Sequence, residues 1–204
     1  NLESGELRIG ASDMTLQFYL LPYLEKYHEK YPHIKVTVTN APTPETLQFL
    51  KEGRIDFGVV STPFAESKEV SVLEVKEIED CFVAGRKFIQ YKNRMLDFQE
   101  LEKLPIISLE QNTSTRSYMD EFLKKNGVEM HPEFELATSD MIVQFTKRNP
   151  GIGSVMKEFA KEELESGRLF ELSFNKIIPK RHICVVTETK TGVSRAASEL
   201  LSML

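Results

Sequence analysis

Gly5-Glu-Leu-Arg-Ile-Gly-Ala-Ser12 opens a stretch that runs to Phe57-Gly-Val-Val-Ser-Thr-Pro63 and decides the fold class. Leu7, Ile9 and Ala11 alternate with Glu6, Arg8 and Gly10, the pattern of a half-buried strand. Ser12 then stands where a helix N-cap belongs, with Asp13 in the first turn. Ile34, Val36 and Val38 make a second strand. Thr43-Pro-Glu45 follows as cap, first-turn proline and an acid beside the positive helix end. Leu47 and Leu50 face inward, Gly53 stops that helix, and Phe57–Val60 is a short apolar strand ending in Ser61-Thr62-Pro63. The order strand, helix, strand, helix, strand predicts an open α/β sheet, which binds small ligands outside the carboxyl ends of its strands.

Outward from that stretch the organisation repeats. Cys81–Ala84 and Leu104–Ser108 read as strands separated by a charged stretch, Arg86–Lys103. Glu110–Arg116 opens a helix with Tyr118, Met119, Phe122 and Leu123 on one face and Gly127 beyond its end. Phe134–Ala137 is a strand delivering Thr138-Ser-Asp140, the cap of a helix with Met141, Ile142 and Phe145 inward. Asn149-Pro-Gly151 breaks that helix, and Gly151-Ile-Gly-Ser154 is expected to be a tight turn, with an anion nest as the alternative. Lys157–Ser166 is helical, Leu169–Leu172 and Ile177-Ile178 are extended pieces, and Ile183–Val186 is a strand. Val193 to Leu204 follows the clearest helical period in the chain. A local echo, Ser12-Asp-Met-x-x-Gln-Phe18 and Ser139-Asp-Met-x-x-Gln-Phe145, reads either as two equivalent helix starts or as chance.

Composition narrows the function classes. The chain has 204 residues, 41% hydrophobic and 28% charged, with 26 Lys and Arg against 31 Asp and Glu for a net charge of −5. An acidic domain without a basic stripe is a poor direct binder of nucleic acid, because phosphate neutralisation supplies most of that affinity. No apolar stretch approaches the roughly eighteen residues of a membrane helix. The chain opens on Asn1-Leu-Glu-Ser4 without Met, so it is expected to be a fragment or processed product. No enzyme is expected. His28, His33, His131 and His182 sit in no metal-ligand or nucleophile motif, and no phosphate-binding or dinucleotide glycine pattern occurs, so neither metal nor cofactor is expected. A general base at Asp13 or Asp140 would be the enzymatic reading, yet both are more simply first-turn acids that complement helix dipoles.

Gly5–Ser12, Leu21-Pro22, Tyr31-Pro32, Leu50–Gly58 and Asn149-Pro-Gly-Ile-Gly153, in this order and spacing, resemble the effector-binding domain of LysR-type transcriptional regulators over nearly the whole chain. The resemblance implies an α/β fold of two Rossmann-like lobes joined by two crossover strands, the type 2 periplasmic-binding-protein arrangement, with an effector between the lobes. Lobe I would comprise residues 1–80 plus 182–204 and lobe II residues 81–181, with crossovers near Asp80–Val83 and His182–Val185. An N-terminal winged helix-turn-helix, absent from this chain, would carry DNA binding, and Asn1–Ser4 would be the tail of its linker helix. Partners implied are a small organic anion and further copies in a homodimer or homotetramer, in the cytoplasm and without a membrane. A solute receptor of an ABC-type uptake system shares the fold and is the alternative.

The chemistry expected of the site follows from its residue types. Helix N-termini offer unpaired N–H groups and partial positive charge, and hydroxyls add donors that can also accept. Ser12, Thr43 and Thr62 in lobe I, with Asn112, Thr113, Ser114, Thr115 and Ser139 in lobe II, form the candidate ligand-binding set. The resemblance points to Ser12, Thr43 and the Asn112–Thr115 loop as effector contacts. Arg116 is the fixed cation placed to clamp a carboxylate bidentately. Each hydroxyl also has the plain role of capping its own helix, worth about 1 kcal/mol. Two open alternatives remain: Cys81 and Cys184 are buried reduced thiols or a redox-sensitive pair across the crossovers, and Tyr19, Tyr23 and Tyr27 are an interface stripe or core packing. Pro22 is expected to bend the first helix.

Overall fold

The computed structural model describes residues 4–204. The linker tail expected at Asn1–Ser4 lies outside the described residues except for Ser4, an exposed bend. The chain runs β1 (Gly5–Ala11), α1 (Asp13–Thr15), a π-helical turn, α2 (Leu21–Lys30), β2 (Ile34–Asn40), α3 (Thr43–Lys51), β3 (Phe57–Ser61) and β4 (Val70–Ile78). It continues with β5 (Asp80–Ala84), β6 (Met95–Leu96), β7 (Ile106–Leu109), α4 (Ser114–Lys125), β8 (Pro132–Leu136), α5 (Ser139–Lys147), β9 (Ile152–Met156) and α6 (Lys161–Ser166). The last elements are β10 (Phe170–Glu171), β11 (Ser173–Phe174), β12 (Arg181–Glu188) and α7 (Arg195–Leu201).

Two compact units result. Unit one runs up to Glu77 and resumes with Arg181–Leu204, and unit two is Ile78–Lys180. The first sheet has the order β2-β1-β3-β12-β4 and the second, read from its parallel edge, β8-β7-β9-β5-β10; β6 and β11 form a separate two-stranded ribbon. In both sheets the first three strands are parallel, and the fourth is antiparallel to the third. The apolar residues of β1, β3, β5 and β9 are buried almost without interruption, as a sheet covered on both faces requires.

The C-terminal segment completes unit one. β12 pairs with β3 through Cys184↔Val60 and Val185↔Val59. The tyrosine stripe then binds α7 and the chain end: Tyr27 Oη donates to Ala196 O at 3.0 Å, Tyr31 Oη to Glu199 Oε2 at 2.6 Å and Tyr19 Oη to Leu204 O at 3.2 Å. Tyr19 and Tyr27 are therefore core residues, as the packing reading of the stripe expects, whereas Tyr23 between them is half-buried. Pro22 falls in the first turn of α2, where its missing N–H costs little, and the irregularity lies just before it, in the π-helical turn Leu16–Leu20. The Lys76 ammonium bonds Phe18 O, four residues ahead of Pro22, at 3.2 Å.

Unit two is built around aromatic packing. Phe98 stacks on Phe174 with ring centroids 4.4 Å apart and meets Phe122 edge-on at 5.2 Å, within a cluster that includes Phe82, Phe88, Leu96, Leu101 and Leu123. Several expectations change. Val70–Ile78 is a strand that the sequence reading left unassigned, because as a sheet-edge strand it is largely exposed and carries Glu and Lys. Gly151–Ser154 is neither turn nor nest, since Ile152–Met156 is a buried central strand. Ile177 and Ile178 pair with no strand, and Ile177 is 88% exposed.

Candidate functional site

In unit one, register places Ala11 opposite Asn40 and Val59, so β1, β2 and β3 deliver their carboxyl ends to one sheet edge. Ser12 caps α1 there: its Oγ accepts Thr15 N at 3.2 Å, while its own N donates to Thr15 Oγ1 at 3.0 Å. Thr15 Oγ1 also donates to Val59 O at 2.8 Å, which ties the cap to β3. Asn40 Nδ2 donates to Asp13 Oδ1 at 2.6 Å. The reciprocal box needed a hydroxyl or carboxyl three residues after Ser12, so Thr15 was readable from spacing and was missed.

Thr43 and Thr62 sit differently from expectation. The cap position of α3 is Pro42, extended at φ −59° and ψ 156°, and Thr43 is the first helical residue. Thr43 is only 3% exposed, yet among the described residues its hydroxyl has no hydrogen-bond partner. Thr62 is engaged: His182 N donates to its Oγ1 at 3.0 Å and its own N donates to His182 O at 2.9 Å, fastening β3 to β12. Its hydroxyl already serves the sheet.

Unit two repeats the arrangement. Leu109 pairs with Leu136, and Glu110 N donates to Leu136 O at 3.0 Å, so the loops after β7 and β8 start side by side. Thr113 caps α4, accepting Arg116 N at 3.1 Å and donating to Glu110 O at 3.1 Å. Ser114 and Thr115 form the first turn, and Asn112 is exposed. Ser139 is the first residue of α5, after Thr138, which makes no side-chain cap bond. Ser139 is 7% exposed and, like Thr43, its hydroxyl has no partner among the described residues. The echo between Ser12 and Ser139 is thus not an equivalence, since one is a cap and the other a first helical residue; Met14 is buried and Met141 exposed. The positional counterparts are Ser12 with Thr113 and Thr43 with Ser139.

Arg116 is not a free clamp. It is 4% exposed, its Nε donates to both oxygens of Asp120 at 2.9 Å, and one terminal nitrogen reaches Leu109 O at 2.9 Å and Glu135 at 3.2 Å. Its Nε–H is shared between the two oxygens of a carboxylate on its own helix, and a terminal nitrogen serves Leu109 O and Glu135, so the guanidinium is already engaged by the protein. Arg116, Asp120, Lys124, Gln111 and Glu129 also line a cavity of about 620 Å³ in unit two, whose walls include none of the cap hydroxyls and carry charges of both signs.

Both cysteines are free and buried. Cys81 pairs with Val155 in one sheet and Cys184 with Val60 in the other, which favours the reduced-thiol reading. Burial raises both thiols, Cys184 to about 11, so neither is a thiolate at neutral pH. Among the described residues no group of His, Cys, Asp and Glu is placed to hold a metal ion, and no helix is long and apolar enough to cross a membrane.

Two α/β units, each with a parallel half-sheet presenting helix N-termini at its carboxyl edge, make up the type 2 periplasmic-binding-protein-like fold. The chain belongs to the LysR substrate binding domain family, whose pattern matches residues 1–204. Among solved structures, the Synechocystis PCC6803 CcmR regulatory domain in complex with 2-PG is similar at TM-score 0.85 and 18% identity, covering 98% of this chain and 95% of that one. The effector binding domain of QuiR in complex with shikimate is similar at TM-score 0.80 and 14% identity, covering 98% and 94%. A probable RuBisCO transcriptional regulator of Cyanidium caldarium is 25% identical over 100% of this chain and 67% of its own length. The chain spans about two thirds of the length of such curated relatives.

Proposed function

We propose that this chain is the effector-sensing domain of a bacterial cytoplasmic LysR-type regulator and that its effector is a small organic anion. The observation that carries the reading is the pair Thr43 and Ser139. Each is a hydroxyl residue, largely buried as a whole, at the first position of a nine-residue helix, and its side chain makes no hydrogen bond among the described residues. Among the described residues no fully buried side-chain nitrogen or oxygen lacks a partner, so these two unbonded hydroxyls stay accessible and are available to a ligand. Helix N-termini favour a carboxylate or phosphate, and shikimate, bound by the similar QuiR domain, is a carboxylate.

The helix starts of each unit offer such an anion the same kind of donor set. In unit one Thr43 would donate to the anion with Ser12 nearby, and in unit two Ser139 would donate with Asn112, Thr113, Ser114 and Thr115 nearby. Thr62 and Arg116 act as structural fasteners, given the bonds they already make. The domain is a sensor rather than an enzyme: a ligand that prefers one state of the domain draws the population toward it. In the whole protein this shift would act through a homodimer or homotetramer on an N-terminal DNA-binding domain.

The test is a thermal-shift and calorimetric screen with shikimate, 2-PG and a panel of small carboxylates and phosphates. A binder at 100 times its Kd adds about 2.7 kcal/mol of stability. Thr43→Val and Ser139→Ala should each abolish the response while leaving the unliganded melting curve nearly unchanged. Full response in both variants would overturn the site.

A further inference from the structure

The two sheets share a feature below the helix starts. β3 and β9 each carry glycine in second place, Gly58 and Gly153, and each glycine lies under a threonine of the preceding helix, Thr46 of α3 and Thr146 of α5. In unit one the seat is double. Gly10 and Gly58 are register partners on β1 and β3, and a Cβ at either would stand 2.7 or 2.9 Å from the same Thr46 methyl, Cγ2. A Cβ on Gly10 would also meet Ile55 Cδ1 at 2.8 Å, the far end of a flexible side chain that can turn aside, and one on Gly58 would meet Val186 Cγ2 at 2.9 Å. In unit two a Cβ on Gly153 would overlap Thr146 Oγ1.

Thr46 cannot give way. It is fully buried, its β-branched side chain has few rotamers, and its hydroxyl donates to Ala41 O at 3.3 Å. It lies one turn after Thr43, so the two share the helix face that meets the sheet. The contact thus sits where it sets how deeply the start of α3 sinks toward the sheet. We infer that Thr46, seated on Gly10 and Gly58, is the positioning residue that fixes the depth of the α3 N-terminus and with it the Thr43 hydroxyl. The functional meaning rests on the reading of Thr43 as an effector contact.

The experiment is amide hydrogen exchange on the full chain, read at Thr46 and Leu47, the former bonded to Pro42 O at 3.0 Å. Gly10→Ala should lift the helix start and speed exchange there about tenfold, with a melting temperature lower by several degrees. Thr46→Ser removes the methyl, keeps the hydroxyl, and should exchange within about twofold of the parent. The double variant Gly10→Ala with Thr46→Ser should return close to the parent rate. Unchanged exchange in Gly10→Ala, or a double variant as fast as Gly10→Ala, overturns the inference. Should Gly10→Ala fail to fold, a folded double variant supports the seat and an unfolded one sinks it. The ligand test at Thr43→Val is separate: it can fail while the exchange pattern holds, and the exchange pattern can fail while Thr43→Val abolishes binding.

Discussion

Unit one and unit two lay out their first four strands alike, β2-β1-β3-β12 and β8-β7-β9-β5, yet fasten the helix after the first parallel strand by different chemistry. In unit one a chain of hydroxyls does it, Ser12 to Thr15 to the Val59 carbonyl, and the following helix is held by tyrosines against α7. In unit two a buried guanidinium does it, joining α4 to the end of β7 and to β8. Parallel strands with crossover helices bring helix N-termini to one edge whatever the fastening, because the connection is right-handed and short. What can vary between the units is therefore how rigidly each helix start is held.

The largest effect expected from this difference is in the aromatic core peculiar to unit two. Phe98→Ala removes a ring that is 1% exposed and touches Phe174 and Phe122, and it should cost about 3–5 kcal/mol in urea unfolding. A loss below about 1 kcal/mol would mean that the cluster collapses around the gap and is not what organises the unit.

Next comes the guanidinium. Arg116→Met keeps the buried stem and deletes the bonds to Asp120, Glu135 and Leu109 O. Because both carboxylates are about two-fifths exposed and can rehydrate, the expected cost is about 2 kcal/mol, less than for a fully buried pair. Salt should weaken the parent more than the variant, and equal salt sensitivity would remove the electrostatic account.

How much of this was legible in the sequence follows the range of the interactions involved. The run from β1 to β3 was readable because alternation, caps and Gly53 all act within a few residues. The segment 86–103 was not: Phe88, Leu96, Phe98 and Leu101 reach the core without a helical or strand period, through short turns. Arg116 was misread because one carboxylate it meets lies four residues on and the other nineteen, and only β7–β8 pairing brings the second within reach. Thr43 was legible as a hydroxyl at a helix start, but its lack of a partner depends on Pro42 taking the cap position.

A smaller effect separates capping from binding. Ser12→Ala breaks the Thr15 bonds and should cost about 1 kcal/mol. Thr43→Val, isosteric and without a bond to lose, should stay within about 0.5 kcal/mol of the parent while losing the ligand response. If instead Thr43→Val destabilises as much as Ser12→Ala, the Thr43 hydroxyl has a structural partner and the asymmetry between the two helix starts disappears.

The smallest effect is on alkaline stability and belongs to unit one, where Tyr19 and Tyr27 hold the C-terminal segment. Burial, reinforced by neighbouring Tyr23, raises the Tyr19 phenol from 10.0 to about 12, and burial with Tyr31 raises Tyr27 in the same direction. A phenol raised in the folded state keeps its proton after the unfolded chain has released it. Its stabilising contribution is complete below pH 10 and drains away as pH climbs from 10 toward 12. At pH 10 the loss from Tyr19 is about half a kcal/mol relative to pH 8. Tyr19→Phe forfeits the bond to Leu204 O at every pH but cannot ionise, so its urea midpoint should fall less between pH 8 and pH 10 than that of the parent. Equal falls in the two proteins would show that the phenol is as free to ionise folded as unfolded, and that the tyrosine contacts do not distinguish unit one.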